Sequence, residues 1–128
     1  MKKAIILFLS LLSLNASAQT FELFDIHPTS YSSPEELIKF NGELFFEADD
    51  GTNGRELWST DGSQAGTQMI KNINPSVSSY PLYLTNYNGK LYFQANDGTN
   101  GQELWVTDGT QSGTSMLKDI NPGGGHGK

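Results

Sequence analysis

An all-β fold of tandem four-stranded antiparallel units is what this sequence predicts, and three observations predict it. Pro34 to Pro75 lies over Pro81 to Pro122 at a constant offset of 47 residues without a gap, and 26 of the 42 aligned positions are identical. Within each period, short apolar runs are separated four times by Gly, Asn, Asp or Pro, the punctuation that bounds strands. No stretch shows apolar residues at helical spacing over enough length to compete. Fixed periods of roughly 20 to 50 residues mark architectures in which each unit is one supersecondary element stacked on the next.

The chain opens with a segment that does not belong to the fold. Lys2 and Lys3 precede an apolar run, Ala4 to Leu14, and the small triplet Ala16-Ser17-Ala18 stands before Gln19. Residues 1–18 therefore read as a secretory signal peptide, because export and cleavage require a charged start, a short apolar segment and small residues at the cut. The run is too short for a membrane span, which takes about 20 residues. Residues 19–33 are expected to supply an orphan outer strand and a linker: Phe21 to Ile26 lies over the fourth strand of the unit only. The same offset puts Asp25-Ile26-His27-Pro28 over Asn72-Ile73-Asn74-Pro75 and over Asp119-Ile120-Asn121-Pro122.

The first unit spans 34–80 and the second 81–122, with residues 123–128 beginning another Gly-rich connection. In the first, Leu37 to Phe40 leads into Asn41-Gly42, a hairpin signal because both residues tolerate positive φ in a type I′ turn. Glu43 to Ala48 returns, Asp49 to Gly54 is a polar loop, Arg55 to Thr60 is the third strand, and Thr67 to Ile73 the fourth. Asp61 to Gly66 turns the corner between the last two, with Asp61 as acceptor for nearby N–H groups and Gly62 at positive φ. The second unit repeats the plan with Leu84 to Tyr87, Lys90 to Ala95, Gln102 to Thr107 and Thr114 to Ile120, and Asp108-Gly109 at the corresponding corner.

Leu44-Phe45-Phe46 and Leu91-Tyr92-Phe93 are consecutive large apolar residues. Neighbouring side chains on a strand point to opposite faces, so both faces are expected to be covered. Small sheets covered on both faces by copies of themselves describe blades of a partial β-propeller, with Trp58 and Trp105 filling the space between blades. A stacked solenoid or open β array is the rival, and two sandwich layers are less favoured because nothing differentiates the copies into distinct sheets. A ring needs about four blades or more. Two blades with a closing strand are expected to be the front part of a longer protein, or a unit that associates through its uncovered faces.

Composition narrows the function. Removing Lys2 and Lys3 takes the net charge from -6 to -8, which argues against nucleic acid as a partner. Without cysteine, neither a disulfide nor a thiolate metal site is available. The loops Asp49 to Gly54 and Asn96 to Gly101 carry oxygen donors at the spacing calcium loops use, but no Glu stands at the twelfth position counted from Asp49 or Asp50. Asx-stabilised turns are favoured there over calcium, and no other cofactor is indicated. His27 and His126 are single and distant, with no metal or catalytic role expected. Every recurring acid lies in a recurring turn or strand, so no catalytic residue is assigned. Tyr31 and Tyr80, in the connections, are the aromatic candidates for glycan contact.

Glu103-Leu104-Trp105-Val106-Thr107-Asp108-Gly109-Thr110 resembles the signature of the ELWxxDGT repeat proteins, a family of long exported bacterial proteins. Glu56 to Ser63 fits the same pattern with one departure, Ser63 where the signature has Thr, and Gly113-Thr114 and Asp119 to Gly124 are also similar. The resemblance covers most of the chain after the signal peptide. It implies an extracellular or cell-surface repeat protein of propeller-like fold, with a C-terminal sorting domain for outer-membrane export in many members from the Bacteroidetes group. It brings no catalytic residue. The expectation is a secreted or cell-surface, non-catalytic scaffold with a protein or glycan partner. The alternative is part of a propeller-type polysaccharide hydrolase or lyase whose active site lies on other blades.

Overall fold

The computed structural model describes residues 25–123. The expected signal peptide, most of the expected orphan strand, His126 and the rest of the Gly-rich end lie outside the described residues. Among those described there is no helix, and the fold is all-β.

Eight strands follow one another: β1 (Glu35–Phe40), β2 (Glu43–Asp49), β3 (Arg55–Thr60), β4 (Gln68–Lys71), β5 (Leu82–Tyr87), β6 (Lys90–Asn96), β7 (Gln102–Thr107) and β8 (Ser115–Lys118). They form two antiparallel sheets in sequence order, β1-β2-β3-β4 (sheet 1) and β5-β6-β7-β8 (sheet 2). The two-residue turns are as expected. Phe40 pairs with Glu43 across Asn41 (φ 50°) and Gly42 (φ 84°), and Tyr87 pairs with Lys90 across Asn88 (φ 50°) and Gly89 (φ 73°), both central residues being left-handed as a type I′ turn requires.

The first and fourth strands differ from their expected bounds for physical reasons. Glu36 (φ 57°) and Tyr83 (φ 60°) are left-handed inside β1 and β5, where the pairing slips between Glu35 and Ile38 and between Leu82 and Thr85. These are β-bulges, and they carry the strands two residues nearer the N-terminus than the apolar run alone suggests. The fourth strands are short because the chain leaves the sheet at Asn72 and Asp119, where backbone N–H groups turn to a buried carboxylate instead of a neighbouring strand.

One core joins the sheets. Phe40, Phe45, Leu57 and Ile70, with Ile73 just beyond β4, meet Leu91, Phe93, Ala95 and Trp105 of sheet 2. Phe40 and Phe45 stack edge to face at 5.4 Å, a favoured aromatic geometry. Polar contacts fix the alignment: Lys71 Nζ donates to the Thr114 carbonyl at 2.8 Å, and Tyr83 N donates to Glu36 Oε2 at 2.7 Å. Trp105 lies between the sheets as expected, whereas half-buried Trp58 alternates onto the face of sheet 1 turned away from sheet 2.

Candidate functional site

The two sheets carry nearly the same side chains but bury them differently. In β2 the run Phe45-Phe46-Glu47-Ala48 is buried throughout, so both faces of sheet 1 are covered. In β6 burial alternates, with Leu91, Phe93 and Ala95 inside and Tyr92 and Gln94 partly open. At equivalent positions the contrast is sharp: Leu57 is 0% exposed and Leu104 37%, Phe40 1% and Tyr87 64%, Ile70 5% and Leu117 54%, Ile73 5% and Ile120 65%. Sheet 2 thus presents an open face of apolar and aromatic side chains at the positions that sheet 1 buries against it.

The open face also differs in polarity. Phe40 and Phe45 are replaced by Tyr87 and Tyr92, whose rings meet at 6.2 Å. Glu47 and Arg55, an ion pair at 3.1 Å, are replaced by Gln94 and Gln102, which hydrogen-bond to each other. Burial pushes the Glu47 carboxyl above its usual range, and Arg55 opposes that shift. The neutral amide pair avoids such a cost on a face half in water. Beside it, Tyr83, Thr85, Tyr92, Gln94 and Leu104 line a shallow groove.

A second groove lies on sheet 1, lined by Ile26, Pro34, Leu37, Leu44, Phe46 and Thr60. Here residues 25–28 do something the offset foreshadows. Ile26 lines the groove over sheet 1, where its equivalent Ile73 packs against sheet 2. His27 presses on Gly51, where a Cβ would lie 2.6 Å from its ring, as Asn74 presses on Gly98, where a Cβ would lie 2.9 Å from Oδ1.

The recurring acids are occupied by their own backbone. Asp50 Oδ1 accepts from Thr52 N at 2.9 Å and Asn53 N at 2.7 Å, while Oδ2 accepts from Asn53 Nδ2 at 2.7 Å. Asp97 repeats this with Thr99 and Asn100 at 2.9, 2.7 and 2.7 Å. Partial burial works to raise both carboxyls, but these donors outweigh it and leave the pKa values lowered. This is the Asx-turn arrangement. Asp61 and Asp108 likewise accept from the hydroxyl and N–H of Ser63 and Thr110 at 2.7 to 2.9 Å, contacts that lower their pKa values.

Sequence reasoning passed over Glu56 and Glu103. Glu56 is fully buried and holds the connection between the sheets: Oε2 accepts from Ser79 Oγ at 2.6 Å and Ile73 N at 3.0 Å, and Oε1 from Ser79 N at 3.2 Å and Asn74 N at 3.3 Å. Glu103 takes Ile120 N at 2.9 Å and Asn121 N at 3.2 Å. Burial pushes Glu56 up to about 7 despite those donors. The readable signal was an acid inside a strand, next to Leu and Trp, in both copies.

Of the other expected residues, His27 Nδ1 accepts from Ser30 N at 3.0 Å and Thr29 N at 3.4 Å, organising a local turn. Tyr31 and Tyr80 are both exposed and lie in the connections outside the strands. Among the described residues no group of three or more His, Cys, Asp and Glu could hold a metal ion, and no helix is long and apolar enough to cross a membrane. Comparison of the chain with protein-family models, curated proteins and solved structures finds no match.

Proposed function

We propose that this chain is a non-catalytic, exported repeat scaffold of the ELWxxDGT type, a cell-surface or secreted protein with a partial β-propeller fold. Its task is to present sheet faces and loops to protein or glycan. The observation that carries this reading is the open face of sheet 2, where Tyr87, Leu104, Leu117 and Ile120 stand exposed at positions sheet 1 buries. Exposed apolar patches of this kind mark interaction surfaces.

Two further features support it. Each sheet is a four-stranded meander, and the sheets pack face to face with their first strands linked through Glu36 and Tyr83, as neighbouring propeller blades do. The recurring acids hold turns and connections in place, a use that fits a scaffold better than a hydrolase. The test is to incubate the exported chain with a panel of bacterial surface polysaccharides, measuring both retention and release of reducing ends. No release of reducing ends is expected, whether or not a polysaccharide is retained; release sinks the non-catalytic reading.

A further inference from the structure

This inference rests on the scaffold reading and names a partner for the same face. We propose that the open face of sheet 2 receives a second copy of this chain, head to tail, and that Asp25–Pro28 of the incoming copy restrains the association by occupying the surface that must dock.

The contact between the two sheets is the template. Sheet 2 contributes Leu91, Phe93, Ala95 and Trp105, with Met116 packed at the margin; sheet 1 contributes Phe40, Phe45, Leu57, Ile70 and Ile73. Both halves occur a second time. The outward face of sheet 1 carries Leu44, Phe46, Ala48, Trp58 and Met69, identical to the sheet 2 set at every position. The open face of sheet 2 carries Tyr87, Tyr92, Leu104, Leu117 and Ile120, apolar or aromatic throughout. Two different, complementary surfaces at opposite ends of one chain define a heterologous contact, which propagates from copy to copy.

The polar guides recur as well. Lys71 reaches the Thr114 carbonyl across the sheets, and Asn41 Nδ2 reaches the Asp108 carbonyl at 3.5 Å. Their equivalents are Lys118 with Thr67 and Asn88 with Asp61, each pair split between the two ends of the chain. Docking in the same register would bring Lys118 of one copy to the Thr67 carbonyl of the next.

Among the described residues, one element stands in the way. Ile26 and His27 already lie over sheet 1 where Ile73 and Asn74 lie over sheet 2. In a head-to-tail pair, Ile120 and Asn121 of one copy must take the places that Ile26 and His27 of the next copy hold. Asp25–Pro28 is therefore a competitor for the docking surface, and association proceeds only as far as that segment gives way.

The chain has no cysteine, so a cross-linking test is clean. Thr67→Cys/Lys118→Cys, treated with a short bis-maleimide, is expected to form covalent dimers and a ladder. Lys71→Cys/Thr114→Cys, the same geometry within one chain, serves as the control for reagent reach. In sedimentation velocity, Ile26→Glu is expected to strengthen association about tenfold over the unaltered chain, and Ile26→Glu/Leu104→Glu to return it to monomer. Circular dichroism establishes that each variant is folded, and the cross-linking pair keeps the test open if Ile26→Glu is not. Overturning results are three: no intermolecular product while the control cross-links, association of Ile26→Glu that Leu104→Glu leaves unchanged, or a monomeric chain whose open face binds a glycan and loses it with Leu104→Glu. None of these touches the scaffold reading, which falls only if reducing ends are released.

Discussion

Leu57 and Leu104 are the same residue at the same place in two nearly identical units, so truncating each isolates the effect of the neighbouring sheet. Leu57 is fully enclosed by the joint core, with sheet 2 against it; Leu104 is 37% exposed. Leu57→Ala removes buried methyl groups and leaves a cavity that packed neighbours cannot fill, a loss of about 2.7 to 5 kcal/mol in comparable sites. Leu104→Ala removes atoms already partly wet, and the space opens to solvent instead of forming a void. At about 25 cal/mol per Å², with no cavity cost, roughly 1 kcal/mol is expected. Urea unfolding of both variants under identical conditions, with a shared slope, reads the difference. Costs equal within about 0.5 kcal/mol, the tolerance to which effects at independent sites add, would refute the account. Such equality would mean that sheet 2 does not cover sheet 1 in solution, or that something covers Leu104 as completely.

Two other outcomes follow from the buried groups and the turns. Glu56 keeps its proton in the folded chain up to a pKa of about 7 against 4.5 unfolded, so the folded state binds more protons than the unfolded between those values. Its contribution to stability is largest at acid pH, falls as pH rises from about 4.5 to about 7, and is level above, a change of the order of 3 kcal/mol. Urea midpoints for the unaltered chain and Glu56→Gln across that range should diverge in slope; parallel curves would remove Glu56 as the source. Gly89→Ala, at φ 73° with nothing within 4 Å, should cost only the left-handed backbone term, about 1 to 2 kcal/mol. Gly98→Ala, at φ 84° with Asn74 Oδ1 2.9 Å from the new Cβ, should cost more in a thermal melt; equal midpoints would place Asn74 away from that loop.

Much of the fold was legible residue by residue. β3 and β7 have the bounds that Arg55 to Thr60 and Gln102 to Thr107 suggest, and the turns at Asn41-Gly42 and Asn88-Gly89 take the positive φ values their residues tolerate. The bulges at Glu36 and Tyr83 were not legible, because neither residue favours the left-handed region. A tertiary contact, Tyr83 N to Glu36 Oε2, joins the two bulges. The open face was half legible. The Phe-to-Tyr exchanges at Tyr87 and Tyr92 mark where the second copy departs from the first, yet a Tyr in a strand fits a covered face as well as an open one.

The sequence by itself determined local conformation: which residues extend, which turn, which faces of each strand are apolar, and that the plan recurs after 47 positions. These depend on steric limits and side-chain alternation within a few residues, and both copies carry them. Only the tertiary structure decided which of two like faces is covered, that Glu56 pins the connection, and that Ile26 and His27 lie over sheet 1 as Ile73 and Asn74 lie over sheet 2. Burial is a property of what lies against a side chain, and two copies of one motif cannot encode different neighbours in themselves.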